Sequence, residues 1–279
     1  MKIIKYLILT FATVLIISCN KHEILYDTVS VDENTAEFQM HYFEPINNEA
    51  KYYIDSVYIN NTLYSSVKGS GQLLPYNGVP GGATGRFFSV KAGEVNIKFY
   101  RKDKIVYDNN ITLKSGKQNI FVHDMKKEPI VIDNEYPYKS NLLLKTSDTW
   151  GTDSIAMVKF YNFLYENAST PYPGKLQYQY QEVRTKEWTN LGKPIAFGEA
   201  TERVTLKVIK NIENSQGSCR INYRILDEKG AVLQVMNSSG KMVNYGDYWN
   251  ATIGRAYMHI YKGIRTQKPI SSVSQWTSL

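Results

Sequence analysis

Four histidines, His22, His41, His123 and His259, are the side chains best suited to hold a metal or move a proton. No second ligand stands at i+2 or i+4 from any of them, the spacing with which a strand or helix presents a ligand pair. His22 lies in a polar N-terminal stretch, and the other three sit singly in strand-like runs, where an imidazole with one satisfied ring nitrogen is expected. Paired carboxylates hydrolyse glycosides, but Asp148 with Asp153, and Asp227 with Glu228, occupy turn-like positions that favour acidic residues for backbone reasons. Cys219, in "GSCRINY", has only Arg220 as a basic neighbour and reads as a small core residue at a strand start. The chain contains no G-x-S-x-G elbow, no P-loop and no H-E-x-x-H. It is expected to be no enzyme, with no catalytic residues, metal or cofactor.

The aromatic residues point to binding instead. All four tryptophans fall in the second half, and three lie beside turn residues: Trp150 in "DTWGTD", Trp188 in "KEWTNLG" and Trp249 in "GDYWNATIG". A tryptophan in a loop stacks on the apolar face of a sugar while neighbouring Asp, Asn and Thr groups bond its hydroxyls; the competing assignment for each is a core or capping ring. Trp188 and Trp249 are expected to form a sugar platform. The run "KLQYQYQ" sets Tyr178 and Tyr180 on one strand face and Gln177, Gln179 and Gln181 on the other. Alternation alone leaves open which of these faces is outward.

Such residues need a scaffold, and the scaffold begins with an export signal. Lys2 and Lys5 precede an uncharged run, Tyr6 to Ile17, which ends at Ser18 and Cys19. This is a positive n-region, an apolar h-region and a small residue at the cut, and the run is shorter than the roughly 20 apolar residues a membrane span requires. The stretch "IISC" resembles the lipobox of bacterial lipoproteins, in which the cysteine thiol receives a diacylglyceryl group and becomes the mature N-terminus. The resemblance implies a signal peptide over 1–18, lipidation at Cys19 and a tether over 19–33. Two or more acyl chains anchor stably where one binds marginally.

Removing 18 residues leaves 261 of the 279, enough for two domains or one large one. The formal charge of +7 falls to +5 once Lys2 and Lys5 leave with the signal. This mild, dispersed excess comes without a basic helix or an aromatic RNA-binding signature, so no nucleic-acid partner is expected. After lipidation Cys219 is the one cysteine left for pairing, and no intramolecular disulfide forms. The chain holds 22 tyrosines beside many Val, Ile and Leu residues, a composition that suits half-buried pleated surfaces. The fold class is all-β.

From Ala36 the pattern alternates, with Phe38, Met40 and Tyr42 on one face and Gln39, His41 and Phe43 on the other. Turns are expected at Asn60-Asn61, where consecutive Asn residues tolerate positive φ, and at Ala92-Gly93, Lys102-Asp103 and Ser115-Gly116. Such spacing suits a β-sandwich. The segments "IDSVYINN", "FFSVKAGEVNIKFY" and "ITLKSGKQNIFV" resemble the small Ig-like sandwich family known as domain of unknown function 4397, with Asn61 in place of the family's turn glycine. The resemblance covers roughly residues 36 to 125 and implies a fold, not a chemistry.

An N-terminal β-sandwich is therefore expected over 34–126, a proline-extended linker over 127–139 and a C-terminal β-sandwich over 140–279. In the second half "MVKFYNFLYENAST", "GKPIAFGEATERVTLKV", "CRINYRILDEKGAVLQ" and "IGRAYMHIYKG" repeat the alternation of the first, with longer loops at 166–175, 211–218 and 237–247. Thr28, Ser56 and Ser154, each between Asp and an aliphatic residue, resemble the O-glycosylation acceptors of Bacteroidetes periplasmic and surface proteins. The expectation is an outer-membrane lipoprotein of Bacteroidetes type, built of two tandem Ig-like sandwiches and facing the periplasm or the cell surface. Its expected role is non-catalytic glycan capture beside nutrient-uptake transport proteins. The alternative is a structural or adhesive protein whose sandwiches are spacers or pair with partner chains.

Overall fold

A computed structural model of the chain describes residues 34–44, 53–66, 87–134, 155–208 and 218–277. Cys19, Thr28, Trp150 and Ser154 lie outside the described residues, which all fall within one compact unit, Glu33–Leu279. Among the described residues all regular structure is β, and the fold is an all-β sandwich architecture.

The first half contains β1 (Thr35–Tyr42), β2 (Ser56–Ile59), β3 (Thr62–Ser66), β4 (Phe88–Lys91), β5 (Gly93–Arg101), β6 (Lys104–Leu113), β7 (Gly116–Val122) and β8 (Ile130–Asp133). They form two sheets, ordered β4-β1-β7-β8 and β3-β2-β5-β6. The expected turns are present. Asn60 and Asn61 have φ of 48° and 64°, Lys102 and Asp103 50° and 58°, the left-handed pairs that let two-residue hairpins follow strand twist. Phe38, Met40 and Tyr42 of β1 meet Val57 and Ile59 of β2 and Val95, Ile97 and Phe99 of β5 in a closed core.

The second half contains β9 (Ile155–Asn167), β10 (Thr170–Pro171), β11 (Gln177–Gln181), β12 (Trp188–Asn190), β13 (Val204–Lys207), β14 (Ser218–Leu226), β15 (Gln234–Met236), β16 (Met242–Asn244), β17 (Gly246–Thr252), β18 (Ala256–Ile264) and β19 (Ser272–Thr277). Its two main sheets match those of the first half strand for strand. β13-β9-β18-β19 corresponds to β4-β1-β7-β8, and β12-β11-β14-β17 to β3-β2-β5-β6. Pairing sense matches too: β1 runs parallel to β7 as β9 does to β18, while the other contacts in these sheets are antiparallel. β10 and the β15–β16 hairpin are additions.

Three stretches differ from the sequence expectation, the smallest being the expected loop 166–175, which holds the end of β9 and the short β10. Within the segment read as linker, Ile130–Asp133 is the edge strand β8, antiparallel to β7; its Ile-Val-Ile run outweighs the prolines beside it, because Pro129 precedes the strand and removes no ladder donor. Residues 135–139 lie outside the described residues. Within 237–247, expected as a loop, β16 returns along β15. The turn between them is closed by the Asn237 Oδ1, which accepts bonds from the backbone N–H of Ser239 and Lys241.

The central strands of the two inner sheets, β1 with β7 and β9 with β18, are largely buried on both faces. Along β9, Ala156, Val158, Phe160 and Leu164 point into the second sandwich core, while Tyr161 and Phe163 point the other way. There they meet Phe43 and Phe121 from the first half and Met258 and Ile260 of β18. Phe43 and Phe163 pack edge to face at 4.9 Å, and Phe121 lies 4.6 Å from Phe163. This explains why β9 and β18 read as near-continuous apolar runs. Buried polar groups share the seam: Gln39, His41 and Asn119 from one half, Lys159 and Lys262 from the other. Asn119 donates to the Tyr161 hydroxyl at 3.3 Å, and Lys159 Nζ to the Asp133 carbonyl at 2.8 Å.

Candidate functional site

The stack leaves two sheet faces outward, those of β3-β2-β5-β6 and β12-β11-β14-β17. Which side chains they present follows from alternation along each strand. On β17, Trp249 is 2% exposed and Tyr248 is 48% exposed. On β11, Tyr178 is buried in the core at 1% exposure and Tyr180 packs half-buried beside it.

Trp249 and Tyr178 therefore cannot belong to a sugar platform. Trp249 packs edge-on against Tyr257 at 4.7 Å and His259 at 4.6 Å. Tyr178 stacks on Tyr223 at 5.0 Å, and its hydroxyl meets the His259 Nδ1 at 3.0 Å. Desolvation drives this cluster neutral: His259 is pulled down to about 3 and Tyr178 is raised well above the usual phenol value. The loop context of Trp249 in the sequence was misleading because Gly246 to Tyr248 already belong to the strand. The inward partner of an outward tyrosine is then the next residue.

The tyrosine side of "KLQYQYQ" is inward and its glutamine side outward. Gln177 folds onto the backbone, donating to the Tyr178 carbonyl at 2.9 Å and the Gly192 carbonyl at 3.2 Å. Gln179 and Gln181 stay on the outer face. Cross-strand registers place Asn190, Gln179 and Arg224 in one row, Trp188 beside Gln181, Asn222 beside Tyr248, and Arg220 beside Asn250. Their side chains bond to one another. Gln179 Nε2 donates to Asn190 Oδ1 at 2.7 Å, Arg224 Nε to Gln179 Oε1 at 2.9 Å, Asn222 Nδ2 to Gln181 Oε1 at 3.0 Å, and Arg220 Nε to Asn222 Oδ1 at 3.3 Å.

Trp188 stands at the edge of this face, 36% exposed, on a strand whose three residues are all exposed. The Arg224 guanidinium lies 4.2 Å above its ring, and the Arg220 guanidinium 3.6 Å above that of Tyr248. Both are cation–π pairs. Of the expected ligand-binding residues, then, Trp188 is on an exposed face, Tyr180 lines its underside, Tyr178 and Trp249 are core, and Trp150 lies outside the described residues. Tyr248, Arg220, Arg224 and the Asn190 and Asn222 partners of the glutamines were missed. The signal that finds them is the period of two in "SCRINYRIL", with Cys219, Ile221, Tyr223 and Ile225 inward and Arg220, Asn222 and Arg224 outward.

Elsewhere, an open groove of about 360 Å³ runs past Glu94, Asn110, Thr112, Glu128 and Pro129 and contains no aromatic ring. Ser56 lies on the outward side of β2, half-buried and opposite Tyr100. His41 and His123 are buried like His259. His123 Nδ1 meets the Tyr165 hydroxyl at 2.7 Å, and His41 stacks on Phe121 at 4.9 Å. Among the described residues no group of three or more His, Cys, Asp or Glu side chains is placed to hold a metal ion. No described helix is long and apolar enough to cross a membrane. Cys219 is a buried core residue at the start of β14.

No family model matches the chain, and no curated protein does. Among solved structures, a leucine-rich repeat protein from Bacteroides thetaiotaomicron aligns at 10% identity and a TM-score of 0.20, over 84% of this chain and 26% of that one. The Bacillus anthracis TIE protein aligns at 8% identity and a TM-score of 0.21, over 82% of this chain and 33% of that one. The chain thus spans about a quarter and a third of these two proteins.

Proposed function

We propose that the protein is a non-catalytic glycan-binding lipoprotein of Bacteroidetes type, anchored to the outer membrane through acylated Cys19, with the outward face of β12-β11-β14-β17 as its binding surface. The observation that carries this reading is the combination on one exposed sheet face of two aromatic rings, Trp188 and Tyr248, with a ladder of Gln and Asn side chains. Amides donate and accept at once, which suits vicinal hydroxyls. Rings beside them supply apolar contact at little entropic cost. The matched topology of the two halves supports a tandem of Ig-like sandwiches, with capture assigned to the second.

The test is a glycan array on the full chain in detergent, read with tryptophan fluorescence. Trp188→Ala and Tyr248→Ala should each weaken binding by about 1–3 kcal/mol, the range for an interface aromatic, with the denaturant midpoint held. If no glycan binds, the face has another use. The anchor is checked separately: Cys19→Ala should leave the membrane fraction, and a variant that stays fully bound would refute lipidation there.

The structural alternative draws on Trp249, whose burial removes one ring from the platform, and on the exposed outer edge of β12. An added strand there would protect β12 amides from exchange. Sugar on the face would quench Trp188.

A further inference from the structure

We infer that the outward face of β12-β11-β14-β17 selects acidic glycans, saccharide chains carrying carboxylate or sulfate groups, and that Arg220 and Arg224 make the selection. This rests on the glycan-binding reading above and adds the charge of the ligand.

A face built for neutral sugars would leave its rings bare. Here each large ring carries a guanidinium, 3.6 Å above Tyr248 and 4.2 Å above Trp188. Each arginine is also held through Nε by an amide oxygen, Arg220 by Asn222 at 3.3 Å and Arg224 by Gln179 at 2.9 Å. Ring and amide together fix the plane of the guanidinium. Among the described residues neither arginine pairs with a carboxylate, so the two Nη groups are the part of each fork left to a ligand. A planar fork held in advance loses little entropy when it takes a carboxylate or sulfate in bidentate fashion.

The rest of the face agrees. The outward positions neighbouring the arginines in the cross-strand registers are amides, rings and Gly246, with no carboxylate among them. Arg220 and Arg224 lie on the same strand face, four residues or roughly 13 Å apart. A ligand that engages both is an oligosaccharide with more than one acid group, lying along β14. Asn222 between them faces the intervening hydroxyls. Carboxylate and sulfate present the same oxygens to the fork, so two probes are needed to tell them apart.

The experiment is isothermal titration of the full chain in detergent with polygalacturonate, dextran sulfate and neutral dextran, and with a single-stranded oligonucleotide as polyanion control, at low and moderate salt. The arms are the parent, Arg220→Gln/Arg224→Gln, Arg220→Lys/Arg224→Lys, and Lys98→Gln on the opposite outer sheet. One of the two acidic polymers is expected to bind about tenfold or more tighter than dextran, and which one names the acid group. The double Gln variant should lose about tenfold or more of that affinity, the Lys variant should fall between because charge survives without the fork, and Lys98→Gln should match the parent. Equal binding of dextran and acidic polymers, unchanged in the Gln variant, overturns the inference and leaves the glycan reading standing. Failure of all three polymers together with an empty glycan array refutes the glycan reading itself. An oligonucleotide that binds as tightly as the acidic polymers, with the same loss in the Gln variant, overturns the inference in favour of a general polyanion patch. If the Gln variant unfolds early, the Lys variant decides alone: undiminished binding there rejects the fork.

Discussion

The two outward sheets occupy the same place in two halves of matching topology, yet they present different chemistry. On β5 and β6 of the first half, Lys98 lies opposite Asp108, and Asn96 donates to both Asp108 and Asn110 at 2.8 Å. Tyr58 and Tyr100 pack edge to face on each other at 5.1 Å. That surface carries both signs of charge. On β14 and β17 of the second half the same alternate positions hold Arg220, Asn222, Arg224, Tyr248 and Asn250 with no acid among them. Pleat and register fix where a side chain stands, and the alternate residues alone decide whether a face carries both charges or one.

The largest effect should come from confusing inside with outside on β17. Trp249→Ala empties a site bounded by Tyr257 and His259 and should cost about 3–5 kcal/mol of stability, the range for a buried aromatic. Trp188→Ala, on the face itself, should shift the denaturant midpoint little. The two urea transitions measure the contrast directly, and similar midpoints would mean that Trp249 is not core.

A second test concerns the inner faces, where the halves meet and neither is open. Lys262 is buried, and desolvation lowers its ammonium to about 7. His41 across the seam is pulled down to about 3, first by burial, with Lys262 adding to the effect. The unfolded chain keeps the lysine proton up to about pH 10.4. Between pH 7 and that value the unfolded state binds more protons, so stability rises with pH, and below pH 7 the cost is fully present. Lys262→Met should therefore stabilise by about 1–4 kcal/mol at pH 7, with the gain fading as pH rises from 7 towards about 10.4 and gone above it. A destabilised variant, or a gain that grows with pH, would show that the ammonium has a partner the seam requires.

Much of the scaffold was legible in the sequence because it is written in short-range physics. Asn60-Asn61 and Lys102-Asp103 are turns because of local backbone preference, and Phe38, Met40 and Tyr42 are core because of a period of two. The second half's β9, β13, β14 and β18 fell where its alternation matched that of β1, β4, β5 and β7. The face was less legible because orientation is a tertiary property. "QYQYQ" has two sides that the sequence ranks equally, and only packing against Tyr223 and His259 turns the tyrosines inward. Gly246-Asp247-Tyr248 reads as a turn until Asp247 pairs with Tyr223 across the ladder. Burial of both faces of β9 and β18 was written in their apolar runs, but the partner that covers the second face lies more than a hundred residues from β18, beyond the reach of local pattern.

The smallest expected effect is the sharpest test of the contrast between the outer faces. Tyr58 and Tyr100 offer two rings on an outward sheet, as Trp188 and Tyr248 do, so ring content alone would make both faces sugar-binding. The rings of the first half differ in being turned onto each other, beside Lys98, which reaches the Asn61 side chain at 3.2 Å. A T-shaped pair already has its edge and face occupied, and breaking it costs about 0.5–1.5 kcal/mol of stability. Tyr58→Ala should therefore lower the denaturant midpoint slightly and leave the affinity for any glycan unchanged within error. Titrating the glycan against Tyr58→Ala and Tyr248→Ala side by side reads the difference. Equal losses would mean that both halves bind, and that the arginines of the second half set strength and not place.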